Sequence, residues 1–189
     1  MRMMRHIAAL LLTIATVTAA SATPAHAIAS TKVEILFQLG RHATSLRQLQ
    51  QQVDLQLKYA PGGTQTSANE VSYSGGTFVV TFAMPGIDDL GWPDCPQDWF
   101  CFYDNVKWGY PRGKLSGCGW QDLATWRWND RTESVDNRTP SAVGYIQHWD
   151  GGNPGNGHNL DYELFRNGAY VGYSPVESRN TADHVYRWC

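Results

Sequence analysis

Residues 95–137, CPQDWFCFYDNVKWGYPRGKLSGCGWQDLATWRWNDRTESVDN, decide how this chain is read. They hold three of the four cysteines and five of the eight tryptophans, so the fold-determining residues are concentrated there. Charged residues, glycines and aromatics alternate too closely for an amphipathic helix of ordinary length, whereas short strands joined by tight turns accommodate them. The stretch reads as all-β.

Its spacing is more specific than its composition. Tyr103 is followed five residues later by Trp108 and six later by Gly109, and downstream comes Trp128-Asn129-Asp130-Arg131-Thr132-Glu133-Ser134-Val135. An aromatic hairpin with glycine at its fold, then an Asn-Asp loop closing on serine, resembles one βγ-crystallin Greek-key motif. The opening Cys95-Pro96, Phe100-Cys101 and Tyr103, with the later Cys118-Gly119-Trp120, Leu123 and Trp128-Asn129-Asp130-Arg131, is similar to the actinobacterial metallopeptidase-inhibitor family built on that fold. The resemblance implies that the aromatic packs over the folded hairpin, that glycine takes a backbone conformation a Cβ would oppose, and that Ser134 ties the neighbouring hairpin down. It also implies a second motif, because one Greek key cannot close a core alone. Tyr145, with Gly151 and Gly152 six and seven residues on, supplies its start, and 179–185 aligns with 129–135 with His184 in place of the serine. The resemblance is strong over 95–137 and weak beyond, and the chain departs from it at Tyr110, Glu133 and His184.

Upstream, the first 27 residues read as a signal peptide. Arg2, Arg5 and His6 make a basic start, Ile7–Ala20 is apolar, and Ala25-His26-Ala27 offers small residues to a peptidase. The apolar run, diluted by Thr13, Thr16 and Thr18, falls short of the roughly 20 residues a spanning helix needs. Secretion is therefore expected, with no membrane association after cleavage. Loss of Arg2 and Arg5 takes the 15 basic residues to 13 against 17 acidic ones, a formal −4, with no charge blocks. That excludes a clustered basic footprint for nucleic acid and a polybasic membrane patch.

Four cysteines in an exported chain pair as two disulfides, with three connectivities open. The family's similar opening implies Cys95 with Cys101, which leaves Cys118 with Cys189. No CxxC or HxxxH spacing accompanies the cysteines, which argues against a zinc site built on them.

The region 28–92 reads as a small α+β segment with a linker at about 85–93. Val33–Leu39 is an apolar run too short to assign a state. Ser45 caps an expected helix with Leu46, Leu49, Val53 and Leu57 on its packed side and Arg47, Gln48, Gln51, Gln52 and Lys58 elsewhere. Glu70–Ser74 and Thr77–Ala83 form a hairpin around a two-residue Gly75-Gly76 turn. The expected architecture is mainly β: a signal peptide (1–27), this one-helix, one-hairpin segment (28–92), which packs on the β-domain or serves as a prosegment, and a βγ-crystallin-like two-Greek-key sandwich (93–189).

Candidate chemistry is sparse. The resemblance implies calcium at Asn129, Asp130, Glu133 and Ser134, whose oxygens suit a hard cation, with Glu133 in place of the usual hydroxyl residue; the same residues read equally as a turn closed by a serine. No GxSxG, HExxH or glycine-rich phosphate loop is present. His148 with Asp150 and Asp183 with His184 are the nearest to acid/base pairs, and no enzyme is expected. The resemblance implies a monomeric inhibitor that binds and occludes a secreted metallopeptidase and requires no cofactor. A non-inhibitory envelope module, calcium-stabilised or carbohydrate-binding, and an exported antimicrobial or toxin-like protein are the other readings.

Overall fold

A computed structural model describes residues 24–87, 91–152, 155 and 157–189, with side chains from Lys32 onward. The expected signal peptide lies outside the described residues up to position 23, as do parts of the linker and of the glycine-rich 153–159 loop.

Two helices precede the strands, where the sequence predicts one. Helix α1 (Pro24–Leu39) takes in the apolar run Val33–Leu39 and delivers Leu39 to the core. Helix α2 (Leu46–Tyr59) starts as expected, with the Ser45 hydroxyl accepting the Gln48 N–H at 3.3 Å. Its packed side differs from the expected one: Leu46 is exposed, while Gln52 and Gln56 are buried beside Leu49 and Val53. The reason is hydrogen bonding. Gln52 Nε2 donates to the carbonyls of Gln38 and Leu39 at 3.1 and 3.4 Å, satisfying orphan acceptors at the end of α1, and Gln56 Nε2 donates to the Tyr73 hydroxyl at 3.0 Å.

Strands β1 (Thr64–Gln65), β2 (Glu70–Tyr73) and β3 (Phe78–Thr81) come next as a meander. Tyr73 pairs with Phe78, so the β2–β3 turn has four residues, not two. Ser74, Gly75 and Gly76 all take positive φ, and the extra residues absorb that left-handed run. The meander is not a separate layer. β3 (Phe78–Thr81), buried along its whole length, pairs on its far side with β5 (Gly109–Leu115), so the 28–92 segment shares one sheet and one core with the C-terminal strands.

The remaining strands are β4 (Phe100–Asn105), β5, β6 (Gly119–Asp122), β7 (Ser134–Asn137), β8 (Val143–Gln147), β9 (Tyr162–Asn167), β10 (Gly172–Tyr173) and β11 (His184–Arg187). All pairings are antiparallel, in a seven-stranded sheet ordered β1-β2-β3-β5-β4-β7-β10 and a four-stranded sheet ordered β6-β11-β8-β9. The two consecutive groups of four, β4–β7 and β8–β11, each place three strands in one sheet and lend the third to the other. Backbone hydrogen bonds repeat between the groups. Glu133 N–H donates to Tyr103 O as Asp183 N–H does to Ile146 O, and Val176 N–H donates to Glu133 O as Leu123 N–H does to Asp183 O, all within 2.9–3.0 Å. Asp130 N–H to Ala182 O and Asn180 N–H to Thr132 O form a reciprocal pair, with φ of +61° and +56° at Asp130 and Asn180. These bonds equate 129–135 with 179–185. They match Tyr103 with Ile146, not with Tyr145, because His184 lies opposite Ile146 as Ser134 lies opposite Tyr103. A glycine count cannot see strand register, and a one-residue difference reverses the face.

Between the sheets lie Phe78, Phe102, Trp126 and Trp128, in stacked and edge contacts with centroids 4.5–6.0 Å apart. Gly113 in β5 passes under these rings; a Cβ there would stand 2.3 Å from Phe102 Cε2. Arg131, fully buried, stacks on Trp128 at 4.1 Å and grips Asp104 through Nε and Nη2 at 3.2 and 2.8 Å. A buried guanidinium is tolerable only with such pairing.

Candidate functional site

Three groups of residues carry surface chemistry, and each is positioned by strand ends. The first is the loop leading into β4. A disulfide joins Cys95 to Cys101, closing a six-residue separation, and a second joins Cys118 to Cys189, stapling the paired strands β6 and β11. Arg138 holds the first loop from outside. Its carbonyl accepts from Asp98 N–H at 3.1 Å and Gln97 Nε2 at 3.2 Å, and its N–H donates to Trp99 O at 2.9 Å. Gln97 and Asp98 project to solvent, whereas Trp99 is half-buried under Lys114, whose Nζ lies 5.1 Å from the ring centre. Below the loop, Asp94 accepts from Tyr103 Oη at 3.0 Å and pairs with Arg112 Nη1 at 2.6 Å. Burial and the Asp94 charge push the Tyr103 phenol well above the usual tyrosine range, so it is a hydrogen-bond donor at any working pH. Arg112 also donates to Thr81 Oγ1 at 3.0 Å, tying this corner to β3.

The second group is the expected calcium set. Ser134 is buried; its hydroxyl donates to Asn105 O at 2.7 Å and accepts Trp108 N–H at 3.1 Å, closing the turn between β4 and β5. Asn129 Nδ2 donates to Asp130 Oδ2 at 3.1 Å, and that carboxylate faces Lys32 Nζ at 3.7 Å. Glu133 accepts from Asn180 Nδ2 at 2.7 Å and faces Arg179 at 3.7 Å. Two of the four donors thus face a cation at 3.7 Å and a third is engaged inside the hairpin. A hard cation needs several oxygens converging on one point, so calcium at this loop would have to draw Asp130 and Glu133 away from these contacts.

The third group was only half visible in the sequence. His148 follows β8, Asp161 precedes β9 and His184 opens β11, and β8 pairs with both β9 and β11, so one end of the four-stranded sheet gathers all three. The Asp161 side chain is only 1% exposed and takes hydrogen bonds from His148 Nδ1 at 2.8 Å, His158 Nδ1 at 2.7 Å and Trp149 N–H at 3.0 Å. Burial opposes its ionisation, but the bonds from His158, Trp149 and His148 prevail and hold the carboxyl below the usual range. His184 Nε2 stands 3.6 Å from Asp161 and its Nδ1 3.7 Å from Asp122, too far for hydrogen bonds. Burial holds its imidazole below the ordinary histidine range, with Asp122 and Asp161 pulling the other way. Of the pairs suggested by adjacency, Asp150 accepts from Gly152 N–H, and Asp183 accepts the backbone N–H of His148 at 2.9 Å while its charge acts weakly on His184. Asp161 and His158 had no signal in the sequence, because their loop carries no recognisable spacing.

No family profile, curated protein or solved structure matches the chain. Among the described residues, no helix is long and apolar enough to cross a membrane.

Proposed function

We propose that this chain is an exported, disulfide-tightened binding protein with a βγ-crystallin-like pair of Greek keys, and that it inhibits secreted metallopeptidases by occluding their cleft. The architectural half of this reading is supported by the exchange of the third strand between sheets, by the backbone bonds that repeat across the two groups, and by the Ser134 clasp on the β4–β5 turn. The functional half draws on the likeness of the 95–137 stretch to the inhibitor family. The observation that carries it is the Cys95–Cys101 loop, which presents Gln97 and Asp98 on a segment already immobilised by a disulfide and by Arg138. A segment ordered before it binds loses little conformational freedom in the complex, which is the thermodynamic requirement for tight occlusion. The mechanism needs no chemical step from the chain itself. Titration of the purified mature chain against a thermolysin-type peptidase tests it: inhibition saturating at one chain per enzyme is expected, and undiminished activity at micromolar excess rejects it for that class of target.

A second reading, a non-inhibitory envelope module, is favoured by one feature. Trp120, Tyr186 and Trp188 form a row with centroids 5.4 and 4.9 Å apart on the second sheet, extended by Arg166 stacked 4.1 Å over Trp188. Partly exposed aromatics of this kind suit sugar or protein faces. Binding to cell-envelope polysaccharide without peptidase inhibition would favour this reading over the first.

A further inference from the structure

We propose that His148, Asp161 and His184 bind a divalent transition-metal ion of the zinc class, a role separate from the inhibitory one. Among the described residues this is the one group of metal-ligating side chains whose donor atoms all lie within 4.8 Å of one another. Two imidazoles and a carboxylate form a ligand set of borderline softness that suits zinc better than calcium or magnesium.

The independent observation is His184. Both of its ring nitrogens are buried and neither has a hydrogen-bond partner, although buried polar groups in folded proteins are almost always paired. Leaving an imidazole in that state costs free energy, which a metal ion at Nε2 removes at that atom, with Nδ1 left facing Asp122 at 3.7 Å. A simple carboxylate–imidazole cluster explains His148 and His158, which Asp161 already satisfies, but it leaves His184 without a purpose.

The surroundings of the three ligands are also fixed. Trp149 N–H orients Asp161 Oδ1, and His158, held on Oδ2 and stacked on Trp120 at 4.2 Å, steadies the second oxygen. Such outer partners set the direction of a ligand. The His148 backbone is itself pinned by Asp183. The His148 side chain is 42% exposed, so the ion has a path from solvent and a fourth position open to water. Its ligands come from three adjacent strand ends, and the bound ion would clasp the connection between β8 and β9 to β11.

The test uses the tag-free mature chain with its disulfides intact, stripped with chelator and titrated calorimetrically with zinc chloride. One ion per chain is expected, with a rise of several degrees in thermal midpoint and, on cobalt substitution, visible absorption of a four-coordinate site. His148→Ala, an exposed position that leaves the core alone, removes a ligand and should weaken zinc binding by more than the roughly 10- to 100-fold that loss of an outer partner costs, and Asp161→Asn should do the same. His158→Ala, which removes only an outer partner, should retain the stoichiometry and the cobalt spectrum with a smaller loss of affinity than either ligand variant. No uptake by the wild type, equal uptake by His148→Ala, or loss in His158→Ala with retention in His148→Ala would each overturn the assignment.

Discussion

Phe78→Ala asks whether the 28–92 segment belongs to the same cooperative unit as the rest. Phe78 sits on β3, has no exposed surface, and stacks on Trp126 at 4.5 Å while meeting Phe102 and Trp128 at 6.0 and 5.9 Å. Truncation removes a ring from the point where the segment enters the common core, and the neighbouring indoles cannot collapse into the space while Trp128 is held by Arg131. Phe→Ala changes at such sites cost about 3–5 kcal/mol. For a chain of this size that corresponds to a fall in thermal midpoint of roughly 6–20 °C. Urea and thermal denaturation followed in parallel by tryptophan fluorescence, which reports on the β-sandwich, and by helical circular dichroism, which reports on α1 and α2, should give one coincident transition shifted down. If the fluorescence transition stays where it is in the wild type while the helical signal melts earlier, the segment is a detachable body and the shared-core reasoning is wrong.

Replacing Cys118 and Cys189 by serine opens a closure of 71 residues and should cost about 4 kcal/mol through the unfolded state, measured as a drop in urea midpoint; an unchanged midpoint would mean that β6 and β11 are held by pairing alone. Burial, outweighing the Arg138 hydrogen bond, pushes the Asp136 carboxyl up. The folded state therefore takes up a proton more readily than the unfolded chain, and the wild type should gain stability relative to Asp136→Asn as pH falls from neutrality through that raised value toward about 3.9. Urea titrations across that range check the sign, and a loss on acidification contradicts it. Calcium should leave the thermal midpoint where chelator leaves it, because Asp130 and Glu133 face Lys32 and Arg179 and the Ser134 hydroxyl is engaged in the β4–β5 turn; a rise with calcium would show that those contacts yield to the ion.

Local pattern alone determined a good deal of this molecule. The β character of 95–137, the Ser45 cap and the existence of the β2–β3 hairpin come from periodicity and turn chemistry, which act over a few residues, while the correspondence of 129–135 with 179–185 is implied by the family resemblance. Tertiary structure decided the rest, because the deciding partners are remote in sequence. Gln52 and Gln56 turn inward only because unpaired carbonyls and a tyrosine hydroxyl await them. β3 becomes an inner strand only because β5 offers its free edge, and Ile146 replaces Tyr145 as the counterpart of Tyr103 only through the register with β11. His148, Asp161 and His184 meet because β8 pairs on both sides, a condition that no spacing along the chain encodes.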